Sequence, residues 1–185
     1  MGEARVTRLA AADAAAVEAQ LGRAPRGAVA VGWRCPCGRP GVVTTAPRLE
    51  DGTPFPTLYY LTCPRAVKLC STLESEGAMA AFNARLAADR DFAQRYAAAD
   101  AAYRADRAAL AADLGLDDGP IRAVSAGGMP DRVKCLHALL AHSLAAGPGV
   151  NPVGDAVAAE LGEWWTAPCA PLPEASEASD SEVTR

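Results

Sequence analysis

Residues 28–64 read AVAVGWRCPCGRPGVVTTAPRLEDGTPFPTLYYLTCP, and this stretch decides the fold class. It contains three short segments that favour extended strands because they are rich in β-branched and aromatic side chains, at residues 28–33, 41–45 and 57–62. Glycine and proline separate the segments and mark turns. The connections are short, so the stretch predicts a three-stranded antiparallel sheet.

Helical sequence surrounds this predicted sheet. Apolar residues recur at helical spacing over residues 6–21, and helical sequence dominates residues 66–114, with one break near Gly77. Two more helices are predicted, from Pro130 to about residue 146 and over about residues 154–165. The sequence therefore predicts an α+β fold, in which a small three-stranded antiparallel sheet packs against a mainly helical body.

One domain accounts for most of the 185 residues, because domains usually contain about 100 to 200 residues. The chain is 50% hydrophobic and 22% charged, which is enough apolar material for a core and excludes a fully disordered protein. Residues 1–168 are predicted to form a single α+β domain. Residues 169–185 are predicted to be a disordered acidic tail, since they are rich in alanine, serine and glutamate.

The net charge of −4 is unevenly distributed. Residues 22–70 contain seven basic and two acidic residues, a local charge of +5 that favours anions. The pI of 5.2 argues against general nucleic-acid binding. No apolar stretch reaches the ~20 residues of a membrane helix, and residues 1–22 lack the pattern of a secretory signal. We therefore expect a cytoplasmic protein without a membrane span.

Six cysteines carry the main functional signal. Cytoplasmic thiols stay reduced, so roles as metal ligands, nucleophiles or buried side chains are favoured over disulfides. Cys35 and Cys37 share a predicted turn, and Cys63 ends the neighbouring strand. Cys135, near a predicted helix start, is the favoured fourth ligand, and His137 is the alternative. Four thiolates suit zinc or an iron–sulfur cluster, and the spacing does not decide between them.

Helix geometry limits how these side chains can combine. Cys135 and His137 point about 200° apart in a regular helix, so they could share a metal only if the helix begins after Cys135. His142 lies ~10 Å further along the axis and is assigned to the core or to the surroundings of the site. Cys70 is predicted to pack in the core, and Cys169 has no assigned role. The competing interpretation is that all of the cysteines are separate buried residues.

A glycine-rich loop at residues 125–129 precedes the helix predicted from Pro130. Free backbone N–H groups and a helix start predict a site for a small anion or a phosphate-containing ligand, with ordinary helix capping as the competing interpretation. The candidate anion-binding residues are Arg48, Asp51, Ser125, Gly127, Gly128, Arg132 and Lys134.

Four segments of the chain carry a family resemblance. They are CPCG at 35–38, PRLEDGTPFPTLYYLTCP at 47–64, SAGGMPDRVKCLH at 125–137, and residues 142–155. Together they resemble domain-of-unknown-function family 501, a bacterial and largely actinobacterial family, over residues 12–155. The resemblance supplies no established activity. It implies that Cys70 and Cys169 lie outside the family's motifs, and that the motifs contain Cys35, Cys37, Cys63, Cys135, His137 and His142.

Three functional hypotheses follow. The first is a cytoplasmic metal-binding protein, in which a cysteine-ligated zinc or iron–sulfur site joins the predicted turn to a helix beside an anion-binding cleft. The second is an enzyme for a small anionic substrate, either iron–sulfur or cysteine-dependent, with Cys135 and His137 as candidate catalytic residues. The third is an interaction module for a cell-division or envelope partner. It would use the predicted helix 91–113, whose expected solvent face carries Arg95, Asp100, Arg104 and Arg107.

Overall fold

The computed structural model describes residues 9–166 and Cys169. Within them lie a three-stranded antiparallel sheet and six α-helices, which confirms the predicted α+β class. Strand β2 (Pro40–Thr45) is central and pairs with β1 (Ala28–Arg34) on one side and β3 (Tyr59–Leu61) on the other. Residues 6–8 of the first predicted helix, and the predicted tail beyond Cys169, lie outside the described residues.

The helices precede and follow the sheet in the chain, as predicted. Gly77 separates the second helix from the third, where its positive φ of 91° breaks the helical backbone. Within residues 9–166, no helix combines the length and apolarity that a bilayer crossing requires. The helices are α1 (Ala11–Leu21), α2 (Pro64–Ser75), α3 (Ala78–Ala88), α4 (Arg90–Leu114), α5 (Leu136–Ala146) and α6 (Pro152–Leu161), with a short 3₁₀ turn at Gly119–Ile121.

Helix α5 is central to the core, where it packs on β3, α2 and α6. Its Leu139 and Leu140 are fully buried, as is Val42 of β2. The crossing with α6 is close, because a Cβ on Gly154 would lie 2.2 Å from the carbonyl oxygen of Leu139. Only glycine fits at that point, so α5 is held firmly between the sheet and α6.

Helix α5 begins six residues later than the predicted start at Pro130. The preceding loop folds back on itself, because the N–H of Arg132 donates to the carbonyl of Gly128 and the N–H of Lys134 to that of Gly127, at 3.1 and 2.7 Å. The first of these bonds has helical spacing, but the second is incompatible with a helix from Pro130, in which the Lys134 N–H would bond the Pro130 carbonyl. Cys135 is the extended residue before the first turn of α5.

Helix α4 buries a charged side chain that the sequence placed in solvent. Arg107 is fully buried, and its guanidinium donates to the carbonyls of Pro56, Ile121 and Val124 at 2.6–3.0 Å. Asp100 is also buried. The expectation of an ordinary solvated face is therefore wrong at these two positions: Arg107 ties α4 to carbonyls outside the helix, and Asp100 pairs with Arg104 on the same helix.

Candidate functional site

The turn between β1 and β2 directs two thiols to one side. The N–H of Cys35 donates to the carbonyl of Arg39 and the N–H of Gly38 to that of Cys35, both at 2.8 Å. Two more N–H groups donate to sulfur, that of Cys37 to the Cys35 thiol and that of Arg39 to the Cys37 thiol. Such donors stabilise thiolates, so the backbone of this turn is arranged to hold two of them.

Cys169, to which the sequence assigned no role, lies beside this pair. Its Sγ is 3.7 Å from that of Cys35 and 3.6 Å from that of Cys37. The thiol of Cys63, fully buried at the start of α2, interacts with that of Cys169. The structure thus brings Cys35 and Cys37 together with Cys169, and Cys63 adjoins this cluster through its contact with Cys169, whereas the Sγ of Cys135 belongs to a different group of donor atoms.

Aromatic packing holds the segment after α6 against the sheet. Trp164 and Trp165 pack on Trp33 of β1, with ring centroids 6.0 and 6.5 Å apart. The guanidinium of Arg65 in α2 donates to the carbonyl of Trp164 at 3.0 Å. These contacts return the chain to the turn between β1 and β2. The tryptophan pair was the signal in the sequence that this segment, which leads to Cys169, belongs to the packed domain.

Burial controls protonation in this group of thiols. Burial raises the pKa of Cys35 to about 11, and burial together with the neighbouring thiols raises the pKa of Cys169. Burial also opposes ionisation of Cys37, but hydrogen bonds with the backbone N–H groups of Arg39 and Cys169 and with the thiols of Cys35 and Cys169 together outweigh it and lower its pKa to about 7. One thiolate therefore forms readily near neutral pH. Further ionisation needs a cation, which is how metal binding displaces protons from cysteine.

Cys135 and His137 form a second group with Glu74. Because α5 begins after Cys135, the condition set by helix geometry is met, and the Cys135 Sγ lies 3.8 Å from the Nδ1 of His137. The Oε1 of Glu74, near the end of α2, is 3.1 Å from the same Nδ1. It also accepts the N–H of Leu136 at 2.6 Å. The three donor atoms lie within 4.8 Å of one another.

The other ring nitrogen of His137 faces α2. Its Nε2 lies 3.1 Å from the carbonyl oxygen of Val67 and 3.2 Å from the Oγ of Ser71. A carbonyl only accepts, so Nε2 carries the hydrogen and Nδ1 points at the thiol and the carboxylate. Val67, Ser71 and Glu74 are spaced as i, i+4 and i+7 and share one helix face. The sequence contains no local signal for Glu74, because it meets Cys135 and His137 only through the packing of α2 on α5.

The pair of Cys135 and His137 is polarised. The hydrogen bond with His137 lowers the pKa of Cys135 against the effect of burial, and the N–H of Ala138 lowers it further. The same hydrogen bond, aided by the charge of Glu74, raises the pKa of His137 to about 9. A thiolate beside an imidazolium is the arrangement of a nucleophilic cysteine. The catalytic role of the pair stays a prediction.

A cavity of about 400 Å³ lies beside this second group. Cys135 and His137 form part of its wall, and Tyr59 and Tyr60 of β3 form another part. The rest is mainly apolar. Both donor side chains are half-buried, so the second group is accessible from this space.

The family model described as "Protein of unknown function (DUF501)" matches residues 31–159, more than two thirds of the chain. The chain belongs to the DUF501 family. No curated protein and no solved structure matches it. The matched range contains the turn between β1 and β2, Cys63 and the whole Glu74, Cys135 and His137 group, whereas Cys169 follows its end.

The candidate anion-binding residues of this DUF501 protein lie in two loops. Arg48 donates to the carbonyls of Gly52 and Asp117 at 2.8 and 3.2 Å, and Asp51 pairs with Arg26 at 3.5 Å. The remaining candidates lie in the folded loop before α5, where the buried Oγ of Ser125 has no partner among the described residues. Anion binding stays a prediction. The candidates in that loop are Ser125, Gly127, Gly128, Arg132 and Lys134.

His142 and Cys70 lie in the core, as the sequence predicted for Cys70 and allowed for His142. The His142 ring stacks on Tyr59 with centroids 5.8 Å apart, and its Nδ1 accepts from the side-chain amide of Asn151 at 3.2 Å. Burial lowers the pKa of His142 to about 4, so the ring is neutral at pH 7. Burial raises the pKa of Cys70 to about 12, so that thiol stays protonated.

Proposed function

We propose that this DUF501 protein is a cytoplasmic zinc-binding protein, with one ion held by the thiolates of Cys35, Cys37, Cys63 and Cys169. The observation that carries the proposal is the meeting of thiols from distant segments: Cys169 lies against two cysteines that precede it by 134 and 132 residues. In a reducing compartment a metal ion is the ordinary link between such thiols.

The sulfur separations support a single ion. Tetrahedral zinc with Zn–S bonds of about 2.3 Å places its sulfur ligands about 3.8 Å apart. The Sγ atom of Cys169 lies 3.7 and 3.6 Å from those of Cys35 and Cys37. In a four-iron cluster the four thiolates bind different iron atoms and lie farther apart, so these distances favour zinc over a four-iron cluster.

The position of the group supports a structural role. Cys35, Cys63 and Cys169 are all buried, and the fourth thiol, Cys37, is half-buried. Four protein ligands leave no position for substrate, which is the composition of structural zinc sites. The ion would join the turn between β1 and β2 to the start of α2 and to the segment after α6.

The experiment is a zinc measurement on untagged protein, purified under reducing conditions and dialysed against a weak chelator. We expect about one zinc per chain in the wild type, none in Cys37→Ser and an unchanged content in Cys70→Ala, which alters a buried cysteine outside the group. A strong chelator should lower the melting temperature of the wild type, and added zinc should restore it. Zinc retained in Cys37→Ser, or iron with sulfide in the wild type, contradicts the proposal.

A further inference from the structure

We propose that Glu74, Cys135 and His137 form a second metal site, which binds a divalent transition metal such as zinc through three protein ligands and keeps its fourth position open. This inference goes beyond the proposed function, because it uses none of the four cysteines of the buried site. In this site Cys135 shares its ion with Glu74 and His137, whereas the sequence predicts that it shares one with Cys35, Cys37 and Cys63.

The donor atoms have the separations that one ion requires. Zinc bond lengths of about 2.3 Å to sulfur and about 2.0–2.1 Å to nitrogen or oxygen place tetrahedral S and N ligands about 3.6 Å apart, and N and O ligands about 3.3 Å apart. The observed distances are 3.8 Å from the Cys135 Sγ to the His137 Nδ1, and 3.1 Å from that Nδ1 to the Glu74 Oε1. These two separations are within about 0.2 Å of the tetrahedral values, and the Cys135 Sγ lies within 4.8 Å of the Glu74 Oε1.

The orientation of His137 matches that of a metal ligand. A ligating histidine almost always donates its second N–H to a carboxylate, a backbone carbonyl or water, which fixes the ring. The Nε2 of His137 makes such a bond to the Val67 carbonyl at 3.1 Å. When the imidazolium gives up its Nδ1 hydrogen, the Nδ1 lone pair faces the thiolate and the carboxylate, which only accept when ionised. A metal cation can take the place of that hydrogen, and the donor set of sulfur, nitrogen and oxygen suits zinc.

Packing of the protein positions the three ligands in the absence of a metal ion. Cys135 and His137 flank Leu136, which is fully buried at the start of α5, and the N–H of Leu136 holds the Glu74 carboxylate at 2.6 Å. Helix α2, which carries Glu74, packs directly on α5. A site assembled from two packed helices loses little conformational entropy when the ion binds.

The surroundings leave one coordination position open. Three protein ligands with a fourth position for water is the composition of zinc sites that do chemistry. Cys135 and His137 line the cavity of about 400 Å³, so a small molecule in that cavity could reach the ion. The same ion would be solvent-accessible, in contrast to the buried four-cysteine site.

The test is a cobalt(II) titration of wild-type protein that retains its tightly bound zinc. We expect one further equivalent of cobalt to bind, with tetrahedral visible bands and a thiolate-to-cobalt band. Cys135→Ser should abolish the thiolate band, and Glu74→Gln should weaken binding at least about tenfold. Cys70→Ala, whose thiol lies near Cys135, should bind like the wild type. Melting temperatures show whether each variant is folded.

Two results overturn the inference. One is a wild-type protein that takes up no second equivalent, and the other is a second equivalent whose affinity and spectrum are the same in Cys135→Ser and Glu74→Gln. Azide serves as a probe of the fourth position, and visible bands unchanged by azide contradict an open position. The proposal of the buried zinc site is tested independently of this inference. Cys37→Ser should lose the tightly bound zinc but still bind the further equivalent of cobalt.

Discussion

The two cysteine-containing groups differ in burial, in ligand chemistry and in how the chain builds them. The group of Cys35, Cys37, Cys63 and Cys169 contains only sulfur, is largely buried and joins segments more than 130 residues apart. The group of Glu74, Cys135 and His137 mixes sulfur, nitrogen and oxygen, is half-buried and adjoins a cavity. Two different sets of potential metal ligands thus lie at separate points of one small fold.

The contrast shows how burial separates a structural task from a chemical one. An ion with four protein ligands contributes its binding energy to folding, because the unfolded chain has no preformed site. An ion with three ligands beside a cavity contributes less to stability and keeps a position for another molecule. We therefore expect loss of the first group to affect folding, and loss of the second to affect only binding.

The largest expected effect comes from Cys169→Ser. Loss of a structural metal is among the few changes that destabilise a domain by about 4 kcal/mol or more, and we expect a loss of that size in the free energy of unfolding. Cys135→Ser should cost about 1 kcal/mol or less, because its site is accessible to solvent. Urea unfolding in the presence of zinc measures both. Equal losses in the two variants would remove the distinction between the groups.

Acid should test the packing of the core, where His142 stacks on Tyr59. Its folded pKa of about 4 lies below the ordinary value of about 6.5, so the unfolded chain takes up the proton first as the pH falls. The contribution of the neutral His142 ring to the free energy of unfolding is fully present above pH 6.5 and is lost as the pH falls toward 4. Between pH 7 and pH 5 we expect a loss of about 2 kcal/mol.

The matched variant for this prediction is His142→Phe, which has no titrating ring. Thiolate protonation affects both proteins alike, so the difference between their pH profiles isolates His142. Unfolding free energies measured at pH 7 and pH 5 should fall about 2 kcal/mol further in the wild type than in His142→Phe. Parallel profiles would mean that the buried ring is not kept neutral.

The smallest effect is expected from Ser71→Ala. The Oγ of Ser71 lies 3.2 Å from the Nε2 of His137, but the Val67 carbonyl remains to hold the ring. We expect cobalt binding at the second group to weaken by about tenfold or less, with stability changed by under about 0.5 kcal/mol. Thr72→Ala is the control, since its hydroxyl bonds only the Lys68 carbonyl on the same helix. A stronger effect in Thr72→Ala than in Ser71→Ala would contradict the role of α2 in orienting His137.

The fold was predictable from the sequence because its signals are local. The β-branched segments and turn residues indicated all three strands, and the pairing order followed from the short connections. The break at Gly77 was equally local. The start of α5 was not predictable in this way, because the loop before it uses pairings within residues 127–134 that compete with a helix from Pro130.

The two groups of donor atoms were predictable to different extents. Cys35, Cys37 and Cys63 follow from a turn and its neighbouring strand. The tryptophan pair indicates that the segment before Cys169 is packed, but its contact with Trp33, which brings Cys169 to the turn, is a long-range contact that no local pattern reveals. Cys135 and His137 were singled out, but their partner Glu74 lies more than 60 residues earlier and faces them only because α2 packs on α5. In both groups, the residue that sequence analysis did not predict, Cys169 or Glu74, is brought to its partners by long-range packing.

The measurement that tests the account most directly is zinc X-ray absorption spectroscopy on the Cys135→Ser variant loaded with one zinc per chain. This variant lacks the thiol of the second group, so the spectrum reports the buried group. We predict four sulfur ligands at about 2.3 Å, with Cys169 as the fourth. Three sulfurs with one nitrogen or oxygen would contradict the four-cysteine site, and this is the result expected if Cys135 were a ligand of the buried ion.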